Sequence, residues 1–185
     1  LAILGLSPED IDIVLMTHMH HDHSGGLTYV NNQGKLVSKY PNAKIIVNDV
    51  EWYEMRNPNN RTRGTYLREN WEPIQDQVTT FSEYINVIPE IQMIHTSGHS
   101  NGHSIILLKQ GKDTMIHMGD LMLSHVHRNP LWVPAVDDYP MKSILAKDKW
   151  LRQAFENHYK FFFYHDQFFA VVEFDKEGKE LVDYV

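Results

Sequence analysis

The residues of this chain with the clearest chemical potential lie in one short stretch, residues 17–26, which reads Thr-His-Met-His-His-Asp-His-Ser-Gly-Gly. Four imidazoles and one carboxylate fall within these ten residues. Neutral imidazole nitrogen and carboxylate oxygen are ligands that Zn²⁺, Fe²⁺ and Mn²⁺ share. Because the chain has no cysteine, any metal must be held by these two ligand types. The stretch therefore predicts a metal site, and a histidine-rich surface loop is the alternative.

The histidine-rich stretch follows an apolar run, residues 11–16, that is typical of a buried strand. Three more polar residues follow predicted strands in the same way: His99, Asp120 and His165. Rigid strand ends can aim ligands from several loops at one point. This pattern is typical of a dinuclear site on a layered α/β scaffold.

Short strands and a few helices must position these side chains. The predicted strands cover residues 13–17, 43–47, 85–88, 91–95, 105–109, 114–118, 160–164, 169–174 and 180–185. Helices are predicted with caps at Ser7, at Asn48 or Asp49 (over residues 50–55), and at Ser143. Residues 61–77 are predicted to form an irregular or broken helix, because Pro73 interrupts their helical spacing.

The composition limits the class of protein. A length of 185 residues with 42% apolar content predicts a single globular domain over residues 1–185. The net charge of −7 argues against nucleic acid as a partner, since phosphate binding needs an excess of Lys and Arg. No apolar run reaches the length of a membrane span and no signal pattern opens the sequence, so we expect a cytoplasmic protein with no membrane partner.

Four motifs, taken together, resemble those of the metallo-β-lactamase superfamily of hydrolases. They are Thr-His-Met-His-His-Asp-His (17–23), Thr-Ser-Gly-His-Ser-Asn-Gly-His (96–103), Gly-Asp (119–120) and Tyr-His-Asp (164–166). Their context is most similar to the branch of quorum-quenching lactonases and methyl-parathion-hydrolase-like enzymes. The resemblance implies the α/β class, with the αβ/βα sandwich of that superfamily.

The resemblance also implies a ligand set for two divalent ions, with zinc expected and iron, manganese or cobalt as alternatives. The first ion would be held by His18, His20 and His99, and the second by Asp22, His23 and His165, with Asp120 bridging the two. The implied reaction is hydrolysis of a small lactone or ester by a metal-bridging hydroxide. The catalytic carboxylates would be Asp22, which orients the hydroxide, and Asp120.

Other functions stay open beside the lactonase reading. An organophosphate or phosphodiester hydrolase would use the same site, and a non-catalytic metal-binding protein is the alternative of a different class. Mononuclear persulfide dioxygenases resemble the same motif set, whereas diiron redox relatives of this fold carry a glutamate in place of His20. The partner expected from the resemblance is a small-molecule substrate, and a homodimer is one assembly that it implies.

Two features depart from the family pattern. Lactonases of the best-known type carry a tyrosine three residues after the bridging aspartate, where this chain has Leu123. In addition, only seventeen residues precede His18, whereas several strands precede the motif in the superfamily. We therefore expect the chain to be the C-terminal portion of a longer domain that lacks its N-terminal strands.

For several of the remaining histidines we predict structural roles rather than metal ligation. We predict a packing or surface role for His21, a role for His103 in orienting His99 or packing under its loop, and a hydrogen-bonded core position for His117. His125 and His127 are predicted to face solvent or the pocket.

Two features of the second half have open roles. Asp166 is a candidate for fixing the tautomer of His165 or of another ligand. The aromatic loop over residues 130–139 is predicted either to pack in a core or dimer contact or to form a pocket wall.

Overall fold

The structure is a computed structural model that describes residues 1–185, and it consists of two compact units, Leu1–Ser82 and Glu83–Val185. Each unit has its own sheet and its own apolar core. None of the helices is both long and apolar enough to cross a membrane.

The first unit contains five short strands and three short α-helices. The strands are β1 (Ile13–Leu15), β2 (Thr28–Val30), β3 (Leu36–Ser38), β4 (Lys44–Asn48) and β5 (Val78–Phe81). The α-helices are α1 (His21–Ser24), α2 (Asp49–Arg56) and α3 (Arg68–Trp71). Turns of 3₁₀-helix lie at Ala2–Leu4, Pro8–Asp10, Gly25–Leu27, Thr62–Gly64 and Glu72–Gln77.

The sheet of the first unit is parallel, with the strand order β1-β4-β5, and β2 pairs with β3 in a separate antiparallel hairpin. Residues 45–47 of its central strand β4 form an apolar run, in which Ile45 and Val47 have no exposed surface. Such a run is typical of a parallel strand that is covered on both faces. Together with Met16, Met19, Leu27, Met55, Tyr66 and Ile74, these residues form the core of this unit.

The second unit contains a seven-stranded sheet and one long helix. The strands are β6 (Tyr84–Ile88), β7 (Ile91–His95), β8 (Ser104–Gln110), β9 (Asp113–His117), β10 (Lys160–Phe162), β11 (Val171–Phe174) and β12 (Leu181–Tyr184). The helix α4 spans Pro140–Glu156, and 3₁₀ turns lie at Gly119–Leu121 and His125–Arg128. The strand order follows the chain, and only the pair β9 and β10 is parallel.

Helix α4 packs against the apolar side chains of this sheet. Ala146, Trp150 and Ala154 recur every four residues, Leu151 lies three residues before Ala154, and all four are buried. This spacing places them on one face of the helix. They share a core with Ile105, Leu107, Ile116, Phe161, Val172 and Phe174 from the strands.

Several sequence-based element predictions are confirmed, and others are wrong in their caps or bounds. The capping box at Ser7, the helix after Asn48, and the hairpin of β8 and β9 are present. Ser143 does not cap α4, because Pro140 already occupies the first turn and Tyr139 is the cap residue. Strand β1 ends at Leu15 rather than at residue 17, although the N–H of Met16 still bonds to the carbonyl of Ile46 at 2.9 Å.

Candidate metal centre

In the first unit, two histidines follow β1 on alternate residues and are buried. His18 has no exposed surface and His20 is 7% exposed. Their ring centroids are 4.6 Å apart and the rings are nearly perpendicular. Their candidate ligand nitrogens lie within 4.8 Å of each other, which is close enough for both to bind one ion. The side chain of Met19, which lies between them in sequence, packs in the apolar core of the unit and anchors residues 18–20 there.

Helix α1 carries the other two ligand-type residues of this unit. The Nε2 atom of His23 lies 3.4 Å from Oδ2 of Asp22, whose side chain is 41% exposed. The His23 ring is also 4.1 Å from that of His18. At the end of the turn, the hydroxyl of Ser24 donates to the carbonyls of Met19 and His20, at 3.1 and 3.0 Å. These bonds hold the helix against the preceding segment.

His21 lies in the same helix but takes a different position. Its side chain is exposed, and its backbone N–H donates to the carbonyl of Thr65 at 2.8 Å. The predicted surface role of His21 is therefore confirmed.

In the second unit, His99 and His165 lie on the two sides of one carboxylate. Oδ2 of Asp120 is 3.4 Å from Nε2 of His99, and Oδ1 is 3.4 Å from Nε2 of His165. His99 and Asp120 are buried, whereas the side chain of His165 is 32% exposed. Each oxygen of the Asp120 carboxylate therefore faces a different imidazole.

A tight turn between β7 and β8 presents His99. Gly98 has φ +106°, a conformation that side chains rarely adopt, and a Cβ atom there would lie 2.7 Å from the hydroxyl oxygen of Ser143. The carbonyls of Gly98 and His99 accept backbone N–H groups of Tyr139 and Asp138, at 2.9 and 3.0 Å. Glycine is thus required for the close approach of this turn to α4.

The second nitrogen of His99 is held by Asp137. Its Nδ1 lies 2.8 Å from Oδ1 of Asp137, whose side chain is only 1% exposed. The hydroxyl of Ser143 donates to the other carboxylate oxygen at 2.5 Å. A carboxylate on Nδ1 selects the tautomer whose Nε2 lone pair is available to a metal. Sequence reasoning missed Asp137, which lies 38 residues from His99 along the chain.

His103 packs beneath Asp120 rather than onto His99. Its Nε2 accepts the backbone N–H of Asp120 at 3.2 Å, and its Nδ1 lies 3.0 Å from the hydroxyl of Thr96. Its ring is 6.0 Å from that of His99. Of the two predicted roles for His103, the structure therefore supports packing under the loop.

The predicted hydrogen bond of His117 is confirmed, but the residue is only partly buried. Its Nδ1 bonds to the carbonyl of Phe162 at 2.8 Å, and its ring stacks on the Phe162 ring at 4.7 Å. His127 is partly buried, and its Nδ1 lies 2.8 Å from the hydroxyl of Ser124.

Asp166 pairs with His125 rather than with the neighbouring His165. Its Oδ2 is 2.6 Å from Nδ1 of His125 and accepts the backbone N–H of the same residue at 2.8 Å. Burial opposes ionisation of this carboxyl, but hydrogen bonds from the backbone N–H groups of His125, Phe168 and Phe169 outweigh it and lower its pKa to about 2.

A buried lysine fastens the aromatic loop. Lys147 of α4 has no exposed surface, and its ammonium donates to the carbonyls of Asn129 and Trp132, at 2.9 and 2.8 Å. Burial lowers the pKa of Lys147 to about 8. The side chains of Leu131 and Trp132 remain 71% and 56% exposed, so this part of the loop does not pack in the core of its unit.

The donor atoms of the two units suit divalent metal ions. The ligand-type side chains are His18, His20, Asp22 and His23 in the first unit, and His99, Asp120 and His165 in the second. Imidazole and carboxylate donors of this kind match zinc, iron, manganese and cobalt alike. A second ring nitrogen that is hydrogen-bonded to a carboxylate, as at His99, is typical of metal ligands. The residues present therefore fit a metal centre.

Comparison with known proteins agrees with this chemistry. An N-acyl homoserine lactonase from Bacillus cereus is 29% identical over 113 residues, covering 61% of this chain and 39% of the relative. The crystal structure of a probable metal-dependent hydrolase from Staphylococcus aureus matches the whole chain with a TM-score of 0.94 and 39% identity, over 65% of its own length. A dizinc quorum-quenching lactonase shares the fold, with a TM-score of 0.81 and 19% sequence identity. The match covers the whole of this chain and 67% of the length of the lactonase.

The chain thus spans less than half the length of that curated relative and about two thirds of these solved structures. The family model of the metallo-beta-lactamase superfamily matches residues 1–163, and the mixed α/β elements are those of its fold. On this evidence, the chain belongs to the metallo-beta-lactamase superfamily.

Proposed function

We propose that this protein is a metal-dependent hydrolase with two metal ions, and that it opens a small lactone or ester. The observation that carries the proposal is the position of Asp120, with one oxygen 3.4 Å from His99 and the other 3.4 Å from His165. Because the two oxygens face different imidazoles, the carboxylate is placed to share one ion with each of them. Membership of a superfamily that includes hydrolases supports the reaction class.

The proposed ligand assignment follows the family resemblance. His18, His20 and His99 hold the first ion, and Asp22, His23 and His165 hold the second, with Asp120 as the bridge. The pairing of His18 with His20, and of Asp22 with His23, within 4.8 Å supports this division. Zinc is the proposed metal, because a neighbour of the same fold is a dizinc enzyme.

When bound, the two ions activate water and polarise the oxygen of the substrate's scissile group. The residues of this chain then have separate tasks. The half-exposed carboxylate of Asp22 accepts a hydrogen bond from the attacking water and orients it. Asp137, which itself accepts the Ser143 hydroxyl, holds the Nδ1 proton of His99, so that Nε2 of His99 keeps a fixed direction.

A lactone or ester is the proposed substrate class, since N-acyl homoserine lactonases are among the similar proteins. One observation favours a second candidate, a phosphotriester or phosphodiester. Leu123 is partly buried and apolar at the position where the best-known lactonases carry a substrate-binding tyrosine. Leucine has no hydroxyl, so it cannot make the hydrogen bond that a tyrosine would make to a lactone. The shape of the pocket then decides whether a lactone or a phosphoester binds.

The test combines metal content with turnover in the full-length protein. We expect two ions per chain by elemental analysis, and hydrolysis of homoserine lactones or aryl esters that is lost in Asp120→Ala. The matched control is Asp183→Ala, an exposed aspartate that pairs with Lys160 at 2.6 Å. Less than one metal ion per chain, with activity unchanged in Asp120→Ala, would refute the proposal. Bound metal without turnover of any ester or phosphotriester would favour a non-catalytic metal-binding protein.

A further inference from the structure

Glu51 is a buried acidic residue with no part in the ligand set. It lies on α2, has no exposed surface, and is 32 residues from Met19 along the chain. One carboxylate oxygen, Oε1, accepts the backbone N–H of Met19 at 2.8 Å and the phenol hydroxyl of Tyr66 at 3.0 Å. Burying a carboxylate is costly unless it is hydrogen-bonded, so these bonds account for its presence inside the unit.

The peptide group that Glu51 holds is the one between two proposed ligands. Met19 separates His18 from His20, and its side chain is 1% exposed in the apolar core. The core therefore fixes the Met19 side chain, and Glu51 fixes its N–H. With both fixed, the backbone that carries the two imidazoles is held by the protein, and their rings lie 4.6 Å apart.

Tyr66 joins the same group from a third segment of the chain. Its hydroxyl donates to Glu51, and its ring lies 5.2 Å from the ring of His20 at an angle of 52°. The tyrosine is 5% exposed, so water does not compete freely for this hydrogen bond. Glu51 thus connects α2 and Tyr66 to the backbone of residues 18–20, which carry the two proposed histidine ligands.

We infer that Glu51 is a positioning residue for the metal ion that His18 and His20 hold, and this inference rests on the proposed function because it requires that ion. Preorganised ligands pay less ordering entropy when an ion binds. Outer partners that orient metal ligands typically contribute 10–100-fold to metal affinity. Glu51 acts one step further out, through the backbone, by the hydrogen bonds of its carboxylate oxygen.

The experiment measures affinity of the full-length protein for Co²⁺ by competition with a chromophoric chelator, and records the visible spectrum of the bound Co²⁺. For Glu51→Ala we expect an affinity loss of about tenfold or more and a changed spectrum. For Glu51→Gln we expect an affinity within about threefold of the wild type, because an amide oxygen can accept the same two hydrogen bonds.

The matched control is Gln77→Ala. Gln77 is a partly buried residue of the same unit, and its side-chain amide donates to the carbonyls of Tyr40 and Ala43, at 2.7 and 2.8 Å. Its loss removes two hydrogen bonds of the first unit but none to α2 or to residues 18–20, so we expect the Co²⁺ affinity of the folded variant to be unchanged. An affinity loss in Gln77→Ala as large as in Glu51→Ala would overturn the inference.

Two other outcomes also overturn it. Wild-type affinity and spectrum in Glu51→Ala would show that the carboxylate does not position the ligands, and equal losses in Glu51→Gln and Glu51→Ala would assign the effect to charge. If Glu51→Ala does not fold, Tyr66→Phe replaces it, with an expected affinity loss of about two- to fivefold from one missing hydrogen bond. Failure of the wild type to bind Co²⁺ would instead refute the proposed function, on which the inference rests.

Discussion

Replacing Asp137 is the most informative perturbation of the second unit, because this residue binds a proposed ligand without binding metal itself. Its carboxylate lies 2.8 Å from Nδ1 of His99 and accepts the Ser143 hydroxyl at 2.5 Å. The side chain is 1% exposed, so the interaction is shielded from water and from salt. Asp137→Ala removes the acceptor that both groups use.

The size of the effect follows from this geometry. Loss of an outer partner to a metal-binding histidine costs about 10–100-fold in metal affinity, which is about 1.4–2.8 kcal/mol. Loss of a buried acceptor also costs the fold about 1–3 kcal/mol for each donor left behind. We therefore expect Asp137→Ala to weaken metal binding and to lower the free energy of unfolding of the metal-free protein. Ser143→Ala, which removes only one donor, should have a smaller effect on both.

The assay is chelator competition with Zn²⁺ on the wild type and on Asp137→Ala, Asp137→Asn and Ser143→Ala, combined with urea unfolding of the metal-free proteins. Asp137→Asn keeps an oxygen that can accept from His99, so its affinity should lie between those of the wild type and Asp137→Ala. A folded Asp137→Ala protein with zinc affinity within about threefold of the wild type would refute the role of this residue in holding the ligand, since outer partners contribute more than that.

Two further predictions concern stability. The pKa of Lys147 is lowered to about 8 by burial, so the unfolded chain binds more protons than the folded protein between about pH 8 and 10.5. The free energy of unfolding should therefore rise across that range relative to Lys147→Met, measured by urea unfolding at several pH values; a constant difference between the two proteins would contradict this. Gly98→Ala should destabilise the fold by roughly 2–4 kcal/mol, because φ is +106° and the new Cβ would meet Ser143 at 2.7 Å. Its control, Gly111→Ala, has φ +61° but open space around the added Cβ, so an equal loss there would show that the contact with Ser143 is unimportant.

The ligand-type residues could be predicted from the sequence because their chemistry is visible locally. His18 and His20 follow an apolar strand on alternate residues, a spacing that lets both imidazoles reach one ion. The same holds for His99, Asp120 and His165, each of which comes a few residues after a strand. Residue type and position after a strand indicate these five as candidate ligands, whereas their assignment to two ions comes from the family resemblance and stays a prediction.

Their supporting residues could not be predicted, because contacts far apart in sequence define them. Glu51 lies in a charged helix that suggests an exposed surface, and only the fold shows its bond to Met19, 32 residues away. Asp137 lies in a polar loop and acts on a residue 38 positions earlier. Until the contacts with Met19 and His99 are known, nothing in the sequence indicates that either carboxylate is buried.

The prediction that failed for Ser143 has a related cause. A serine before an apolar-periodic segment is typical of a helix cap, but α4 begins three residues earlier, at Pro140. The hydroxyl is used by Asp137 instead. The hairpin of β2 and β3 was also not predicted, because each strand has only three residues and half-exposed side chains, which weakens the alternating pattern.

The most direct test of the central proposal is anomalous diffraction at the zinc absorption edge, from crystals of the full-length protein grown with Zn²⁺. We predict two anomalous peaks per chain, one at His18, His20 and His99 and one at Asp22, His23 and His165. Asp120 should contact both peaks, one with each carboxylate oxygen. A single peak, or two peaks with Asp120 bound to only one of them, would contradict the proposed dinuclear site.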